Sequence, residues 1–287
     1  MLVWLNGRVV AARAARISAL DRGLLHGDGV YDTWRTYGGE PFALGAHLRR
    51  LAAAARRLEL PGPGDASAWR VRTRRLLRRN GLANGAARLT ITRGDAGTAP
   101  MPARSAPPTI LLTVRALPAG LAGQQTRGIR VTLLPFARDA GAGWGAVKLV
   151  GHASAVVGRM LAARRRADEG LYVTPAGLVT EGTTSNVFIV ERGRLVTPPA
   201  DGSILEGVTR ELVLRLARRA GIATQERPID VARLRRADEV FITASTIELL
   251  PVVRIDARRV GKGDPGPTTR VLQDHYRTCV ASRFSHD

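Results

Sequence analysis

Residues 171–199, LYVTPAGLVTEGTTSNVFIVERGRLVTPP, contain short runs of β-branched and aromatic residues separated by turn residues. This rhythm predicts a meander of neighbouring strands. Residues 204–221, ILEGVTRELVLRLARRAG, follow with apolar side chains at helical spacing and close on Gly221, so they predict an amphipathic helix. Strands that succeed one another, with helices set apart from them, are typical of an α+β protein rather than of a repeated βαβ array.

The N-terminal half shows the same mixture of elements. Its patterns predict two hairpins, two helices and two further strands, over residues 2–12, 30–44, 43–58, 67–79, 87–93 and 109–116. The segment 119–125 combines Gly and polar residues between two strand-like runs and is interpreted as an interdomain linker. We therefore expect a small N-terminal domain over 1–118 and a larger C-terminal domain over 126–287. From Lys148 to Arg166 the pattern is helical.

The composition excludes several classes of protein. Its single cysteine, Cys279, excludes an intramolecular disulfide and a multi-cysteine zinc site. No run of eighteen apolar residues occurs, so we expect no membrane partner and a cytoplasmic location. The net charge of +20 raises the alternative of a basic polyanion-binding protein without catalysis. However, the arginine groups lie inside helical patterns without interleaved aromatics, so we expect no nucleic-acid partner.

Lysine is rare in this chain. Of 44 basic residues only Lys148 and Lys262 are lysines, so arginine serves almost wherever a cation suffices. A lysine differs from an arginine because it loses its proton when desolvated and then acts as a nucleophilic amine. Lys262 lies in GKGDPGP, a turn-forming segment that favours simple exposure. Lys148 is therefore the better candidate for chemistry.

Several common signatures are absent from the sequence. Gly27 to Gly29, GDG, lacks the third glycine of a dinucleotide fingerprint, and neither a P-loop nor a GxSxG elbow occurs. The five histidines show no ligand-like pairing, so we expect no metal site.

Other segments suit a cofactor that carries an aldehyde, a protonatable ring nitrogen and a phosphate. Lys148 is a candidate for condensation with the aldehyde, and Glu181 in TEGTTSN for stabilising the protonated ring nitrogen. The helix start GVTRELVL offers the N–H groups of Val208 and Thr209 to a phosphate. Arg50 and Ser245 are candidates for completing that phosphate cup.

Each of these signals also has an ordinary structural explanation. An arginine such as Arg50 usually lies on a solvated helix face, Thr209 would ordinarily only begin a helix, and Ser245 would be a turn hydroxyl. Glu181 in a turn is more often simply exposed. It is their joint occurrence with Lys148 that favours a cofactor site.

Four segments resemble, in order, the motifs of the class IV aminotransferases, the fold-type IV pyridoxal-phosphate enzymes. They are DRGLLHGDGVYDTWRTYGGEPFALGAHLRRL from Asp21, LYVTPAGLVTEGTTSNVFIVERGRLVTPP from Leu171, SILEGVTRELV from Ser203 and ADEVFITASTIELLPV from Ala237. The family includes branched-chain aminotransferases, D-amino-acid aminotransferases and aminodeoxychorismate lyases. The resemblance implies a small N-terminal α/β domain, a larger C-terminal domain with a mixed sheet, and a homodimer with its active site between the two domains of each subunit.

The resemblance also implies a role for each candidate residue. Lys148 would carry pyridoxal 5'-phosphate as a Schiff base, and Glu181 would pair with the pyridine nitrogen. Leu205 would pack on the ring, while the phosphate would be bound by Arg50, Val208, Thr209 and Ser245. Tyr31 matches a family position on the substrate side of the cofactor.

The implied reaction is transamination between an amino acid, or a primary amine, and a 2-oxo acid. The alternative is aminodeoxychorismate lyase, which releases pyruvate and 4-aminobenzoate; Thr33 resembles a lyase threonine. The chain lacks the Arg-x-His pair of D-amino-acid aminotransferases, which leaves Arg93 or Arg104 as candidates for binding a substrate carboxylate. It also lacks the asparagine that usually follows the family's lysine by three residues, and His152 lies next to that position.

Overall fold

The computed structural model describes residues 1–102, 106–138 and 141–284. The chain divides into two compact units. The first unit contains residues 1–118 together with the later segment 147–152, and the second contains 119–146 and the chain from 153 onward.

The first unit is an antiparallel sheet with helices. Its elements are β1 Leu2–Leu5, β2 Arg8–Ala11, α1 Arg22–Leu25, β3 Gly29–Tyr37, β4 Glu40–Pro41, α2 Leu44–Arg57, α3 Ala66–Arg79, β5 Gly85–Thr92 and β6 Thr109–Ala116. The strands pair in the order β2-β1-β6-β5-β3-β4. Helix α2 packs on β3, and α3 packs on β1 and β6. The core between them includes Trp34, Leu51, Leu76 and Leu89, which are fully buried.

Local sequence explains the main elements of this unit. Asn6 and Gly7 adopt φ angles of 44° and 93°, as the predicted two-residue hairpin between β1 and β2 requires. Asp65 caps α3 because its carboxylate accepts a hydrogen bond of 3.0 Å from the backbone N–H of Ala68. The predicted hairpins, helices and strands of the N-terminal half are thus confirmed to within two or three residues at their ends.

The second unit is built on a mixed sheet. Its elements are α4 Leu121–Arg127, β7 Ile129–Leu133, α5 Ala153–Arg164, β8 Glu169–Val173, β9 Leu178–Gly182, β10 Asn186–Glu191, β11 Arg194–Thr197, α6 Val208–Arg219, β12 Thr224–Glu226, β13 Ile229–Asp230, α7 Val231–Arg236, β14 Glu239–Ala244, β15 Glu248–Ile255, β16 Arg258–Arg259 and α8 Pro267–Phe284. The sheet order is β12-β11-β10-β14-β15-β7-β8-β9-β13, with β16 paired to β15.

Parallel and antiparallel pairs occur together in this sheet. Strand β7 runs parallel to both β15 and β8, and β11 runs parallel to β12, whereas the remaining neighbours are antiparallel. Together with the antiparallel sheet of the first unit, this confirms the α+β class and the mixed C-terminal sheet. Among the residues that the structure describes, no helix has both the length and the apolar character needed to cross a membrane.

Two expectations differ from the observed elements. The prediction of a helix from Lys148 onward is wrong for residues 148–152, because α5 begins only at Ala153. The segment 119–125, interpreted as a linker, contains the first turn of α4. The division into 1–118, 119–125 and 126–287 stays a prediction about where the domains separate.

Candidate active site

Lys148 belongs to a short segment that pairs with β3. Its carbonyl accepts a hydrogen bond of 3.0 Å from the N–H of Tyr31, and the N–H of Val150 donates to the carbonyl of Gly29 at 2.9 Å. Val30 and Leu149 form the corresponding antiparallel bridge. Because β3 takes these backbone groups, the helix cannot start at Lys148, which explains why the helical pattern failed there.

The side chain of Lys148 lies beside Tyr31. The lysine Nζ is 4.8 Å from the centroid of the tyrosine ring, and the tyrosine is buried, with 6% of its surface exposed. The Tyr31 hydroxyl forms a hydrogen bond with His152 Nε2, at the other end of the same segment. The structure therefore brings together two predicted residues, Lys148 and Tyr31, and adds His152 to them.

Arg88 is a further member of this cluster that the sequence interpretation missed. Its guanidinium carbon lies 3.6 Å from the centroid of the Tyr31 ring. The register of β3 and β5 pairs Thr33 with Arg88 and Tyr31 with Thr90, so these side chains share one face of the sheet. The alternation of residues in a strand places Arg88 and Thr90 of ARLTITR on one face of β5. Only the pairing of β5 with β3 places that face beside Tyr31.

Arg88 differs from most buried arginines in its surroundings. Across the part of the chain described, it forms no ion pair with a carboxylate, and its Nε donates a hydrogen bond of 3.3 Å to the hydroxyl of Thr90. Desolvation by burial lowers the pKa of Arg88, and an interaction with Tyr31 opposes that effect. A half-buried cation of this kind is suited to binding an anionic ligand.

Arg50 lies in a different, fully paired network of the first unit. It donates from Nε and Nη2 to the two oxygens of the buried Asp32, at 2.8 Å each, and Nδ1 of His47 lies 2.8 Å from Asp32 Oδ1. Burial alone would raise the pKa of Asp32, but Arg50 and His47 hold it well below its usual range. This network fixes the direction of the Arg50 guanidinium.

Arg93 is also paired with a carboxylate. It donates to both oxygens of Asp28, at 2.7 and 3.1 Å, and to the carbonyl of Leu58 at 2.6 Å. The structure thus places this candidate for substrate binding in an ion pair with Asp28, just before β3, and in a hydrogen bond to the end of α2. Arg104, the other candidate, lies outside the described residues.

Glu181 is a buried carboxylate of the second unit, at the end of β9, with 3% of its surface exposed. Its Oε2 accepts a hydrogen bond of 3.1 Å from the N–H of Leu205, and its Oε1 pairs with Arg138. The predicted residues Glu181 and Leu205 are therefore neighbours. No sequence signal marked Arg138, which follows β7 in a loop.

The start of α6 presents a group of hydrogen-bond donors. Gly207, the residue before the helix, has no side chain to cap the N–H groups of the first turn. The hydroxyls of Thr209 and Ser245 lie 3.5 Å apart. A Cβ on Gly207 would fall 2.0 Å from Oδ1 of Asn186, so the close approach of the chain requires glycine here. The second unit thus brings the predicted Thr209 and Ser245 together beside Val208.

Comparisons with known proteins identify the family of this chain. The family model for amino-transferase class IV matches residues 29–255. A Methanocaldococcus jannaschii protein named "Putative branched-chain-amino-acid aminotransferase" is 34% identical, with 96% of each chain covered. The D-alanine aminotransferase of Staphylococcus haemolyticus is 29% identical, with 99% of each chain covered.

Solved structures give the same result. The T.th. branched-chain amino acid aminotransferase with pyridoxamine 5'-phosphate aligns with a TM-score of 0.89 and 29% identity, covering 99% of this chain and 95% of that one. A family match over most of the chain and a relative above 30% identity over nearly its whole length show the family. The chain therefore belongs to the class IV aminotransferases, a family of pyridoxal-phosphate enzymes that transfer amino groups.

Proposed function

We propose that Lys148 is the residue that binds pyridoxal phosphate covalently and that this enzyme transfers amino groups between amino acids and 2-oxo acids. One observation carries the assignment. Lys148 is one of only two lysines, and two backbone hydrogen bonds hold its segment against β3 with the amine beside the buried Tyr31. Lys262, by contrast, is exposed.

The second unit carries residues of the kinds that a ring nitrogen and a phosphate require. Glu181, a buried carboxylate, would accept a hydrogen bond from a protonated ring nitrogen, and Arg138 favours its charged form by opposite charge. The first turn of α6, with Thr209 and Ser245, supplies backbone and hydroxyl donors at the positive end of a helix dipole, which suits a phosphate. Val208 would contribute its backbone N–H, and Leu205 would contact the ring.

Arg50 is proposed as the cationic partner of the phosphate. Its guanidinium is a permanent cation of the planar shape that suits a phosphate, and its bonds to Asp32 run from Nε and Nη2. Asp32 thus acts as a positioning residue because its bidentate contact orients the Arg50 fork.

The bound cofactor supplies an electron sink that makes the α-hydrogen of the amino substrate acidic. Once the amine of the substrate has replaced Lys148 on the cofactor, the freed Lys148 Nζ would accept this proton from the α-carbon and later give it up again as the ammonium. The amine lies 4.8 Å from the centroid of the buried Tyr31 ring, which gives it an aromatic neighbour on one side. Two successive half-reactions on one site predict ping-pong kinetics.

We propose Arg88 as the residue that binds the substrate carboxylate. It is half-buried, lies 3.6 Å over the Tyr31 ring beside Lys148, and forms no ion pair with a carboxylate among the described residues. Arg93 is less suited because Asp28 already takes its bidentate face. Thr33, paired with Arg88 across the strands, would lie on the same side of the substrate.

We further propose that the enzyme is a homodimer. Helix α5 exposes Val156, Val157 and Met160, each with more than half of its surface in the described chain accessible to solvent. The first unit exposes Leu24 and Met101 to a similar or greater extent. Apolar groups of this kind are commonly covered by a second copy. Light scattering should give about twice the chain mass of 30.8 kDa, and Val157→Asp should reduce it.

Reduction with borohydride tests the central assignment. The purified holoenzyme should be yellow, because the Schiff base between cofactor and lysine absorbs visible light. After reduction, peptide mapping by mass spectrometry should place the cofactor adduct on Lys148. An adduct on Lys262, or none, would refute the proposal. A spectral half-reaction screen with L- and D-amino acids, (R)-amines and aminodeoxychorismate then identifies the donor, and release of 4-aminobenzoate would favour the lyase.

A further inference from the structure

His152 has no role in the function proposed above, although it ends the segment that carries Lys148. Its Nε2 forms a hydrogen bond with the hydroxyl of Tyr31. The two rings have centroids 5.2 Å apart and an angle of 58° between their planes, so the contact is made through the polar edge rather than by stacking. The imidazole therefore acts on the tyrosine through its hydroxyl.

This contact completes a three-point attachment of the segment to β3. The first two points are the backbone bonds from Tyr31 N–H to the Lys148 carbonyl and from Val150 N–H to the Gly29 carbonyl. The third point is the side-chain bond of His152. The backbone bonds fix where the chain runs, and the third bond holds the hydroxyl of the Tyr31 side chain.

The orientation of Tyr31 matters because two cations lie over its ring. Arg88 Cζ is 3.6 Å and Lys148 Nζ is 4.8 Å from the ring centroid. A cation over an aromatic face is stabilised only while the ring presents that face to it. Rotation of the tyrosine would therefore change the environment of the amine.

The ionisable groups around this contact lie on three elements. Tyr31 on β3 and Arg88 on β5 lie together beside Lys148, and His47 on α2, which feels the charge of Lys148, is joined to Asp32. Arg50 on α2 shares that aspartate. Burial lowers the pKa of His47, Asp32 opposes this, and the charges of Arg50 and Lys148 add to the lowering. Asp32 is hydrogen-bonded to Arg50 and His47, whereas Tyr31 contacts both His152, through its hydroxyl, and Lys148, through its ring.

We propose that His152 is a positioning residue that holds the hydroxyl of Tyr31 and thereby fixes the tyrosine ring beside the amine of Lys148. The inference rests on the proposed function in one respect, namely that Lys148 is the cofactor lysine. The geometric claim itself concerns residues of the first unit and can be measured on the apoprotein.

The rarity of lysine makes a direct measurement possible. Competitive acetylation of full-length apoprotein across pH 7 to 11, followed by mass spectrometry, gives a labelling midpoint for Lys148, with the exposed Lys262 as an internal reference. His152→Leu should lower the Lys148 midpoint by about half a pH unit, since the loosened ring stabilises the ammonium less. His152→Gln, whose amide reaches about as far as Nε2, should restore most of the shift.

A double-mutant cycle tests whether the effect passes through the hydroxyl. Tyr31→Phe keeps the ring but removes the group that His152 holds, so it should produce a similar shift, and His152→Leu should add little in that background. His152→Asn, whose side chain is too short to reach, replaces the leucine variant if that variant does not fold. His275→Gln, on the exposed face of α8, is the matched control and should leave the midpoint unchanged.

Two results would overturn the proposal. The first is a Lys148 midpoint that His152→Leu and His152→Asn leave where it was. The second is a shift of equal size in the presence and absence of the Tyr31 hydroxyl, which would mean that His152 acts by another route. Neither result depends on where borohydride places the cofactor, so failure of this inference is distinguishable from failure of the proposed function.

Discussion

Arg50 and Arg88, both in the first unit, have opposite kinds of surroundings. Arg50 shares the buried carboxylate of Asp32 with His47, and every charge there has a counter-charge at hydrogen-bond distance. Arg88, on the neighbouring strand, lies over an aromatic ring and forms no ion pair with a carboxylate in the described chain. The difference teaches that a carboxylate partner, as at Arg50, fixes the direction of a guanidinium and compensates its charge, whereas an aromatic partner, as at Arg88, leaves the charge without a carboxylate beside it.

The largest effect should come from breaking the Asp32 cluster. Asp32→Ala leaves the partly buried Arg50 and the buried His47 without their counter-charge, so the free energy of unfolding should fall by about 3–5 kcal/mol. Urea denaturation followed by circular dichroism measures the change. Glu40→Ala, which removes a more exposed partner of Arg70 and Arg74, is the matched control and should cost less than about 1 kcal/mol. If both variants lost the same free energy of unfolding, the Asp32 cluster would contribute no more to stability than the more exposed Glu40 pairs.

The Arg88 cluster should respond in the opposite way. Arg88→Leu should lower kcat/KM roughly 10- to 100-fold, because hydrogen bonds to charged groups contribute about 1.5–3 kcal/mol. Its stability should stay the same or increase, since a desolvated cation has been removed. Arg88→Lys keeps the charge and should recover part of the activity. A variant that is destabilised like Asp32→Ala, with unchanged kinetics, would place Arg88 in the framework.

Arg93 sharpens the comparison because it was a candidate for the substrate side from sequence alone. Its bidentate contact with Asp28 predicts that Arg93→Met lowers the free energy of unfolding by about 1–2 kcal/mol. KM for the amino donor should change less than about twofold, since a paired guanidinium offers little to the substrate. A large rise in KM with unchanged stability would instead assign the carboxylate to Arg93.

The smallest effect is a pH dependence that belongs to the Asp32 cluster. The pKa of His47 lies below its usual value in the folded protein, so the unfolded chain takes up the proton first as the pH falls below about 6.5. The free energy of unfolding should therefore decrease between about pH 6.5 and pH 5, by at most about 1.4 kcal/mol per pH unit. His47→Gln should flatten this region, and an unchanged slope would argue against it. The contribution of Asp32, whose folded pKa is also lowered, is lost only at still lower pH.

Local signals predicted much of this protein. Asn6-Gly7 fixed the first hairpin, the spacing of Leu44, Leu48 and Leu51 gave α2, and GVTRELVL marked the start of α6. These features depend on neighbours in the chain. Class IV motifs added the family, which the comparisons confirm.

What the sequence could not predict depends on pairing across long separations. The bridge between Val30 and Leu149 prevents the helix that the local pattern indicated at Lys148. The register of Thr33 with Arg88 is what brings the arginine to Tyr31, and Arg138 reaches Glu181 from a loop with no distinguishing motif. The assigned roles of the site residues, like the domain boundaries, stay predictions.

The attachment of residues 147–152 to the first unit has a consequence for biosynthesis. A nascent chain that ends at residue 118 already contains β1 to β6, yet it lacks the later segment that pairs with Val30 and carries Lys148. The ribosome must translate the intervening 119–146 before that segment can emerge, and at about 5–20 residues per second this delay lasts seconds. Until then the backbone carbonyl of Gly29 and the N–H of Tyr31 lack the hydrogen-bond partners that they have in the folded protein.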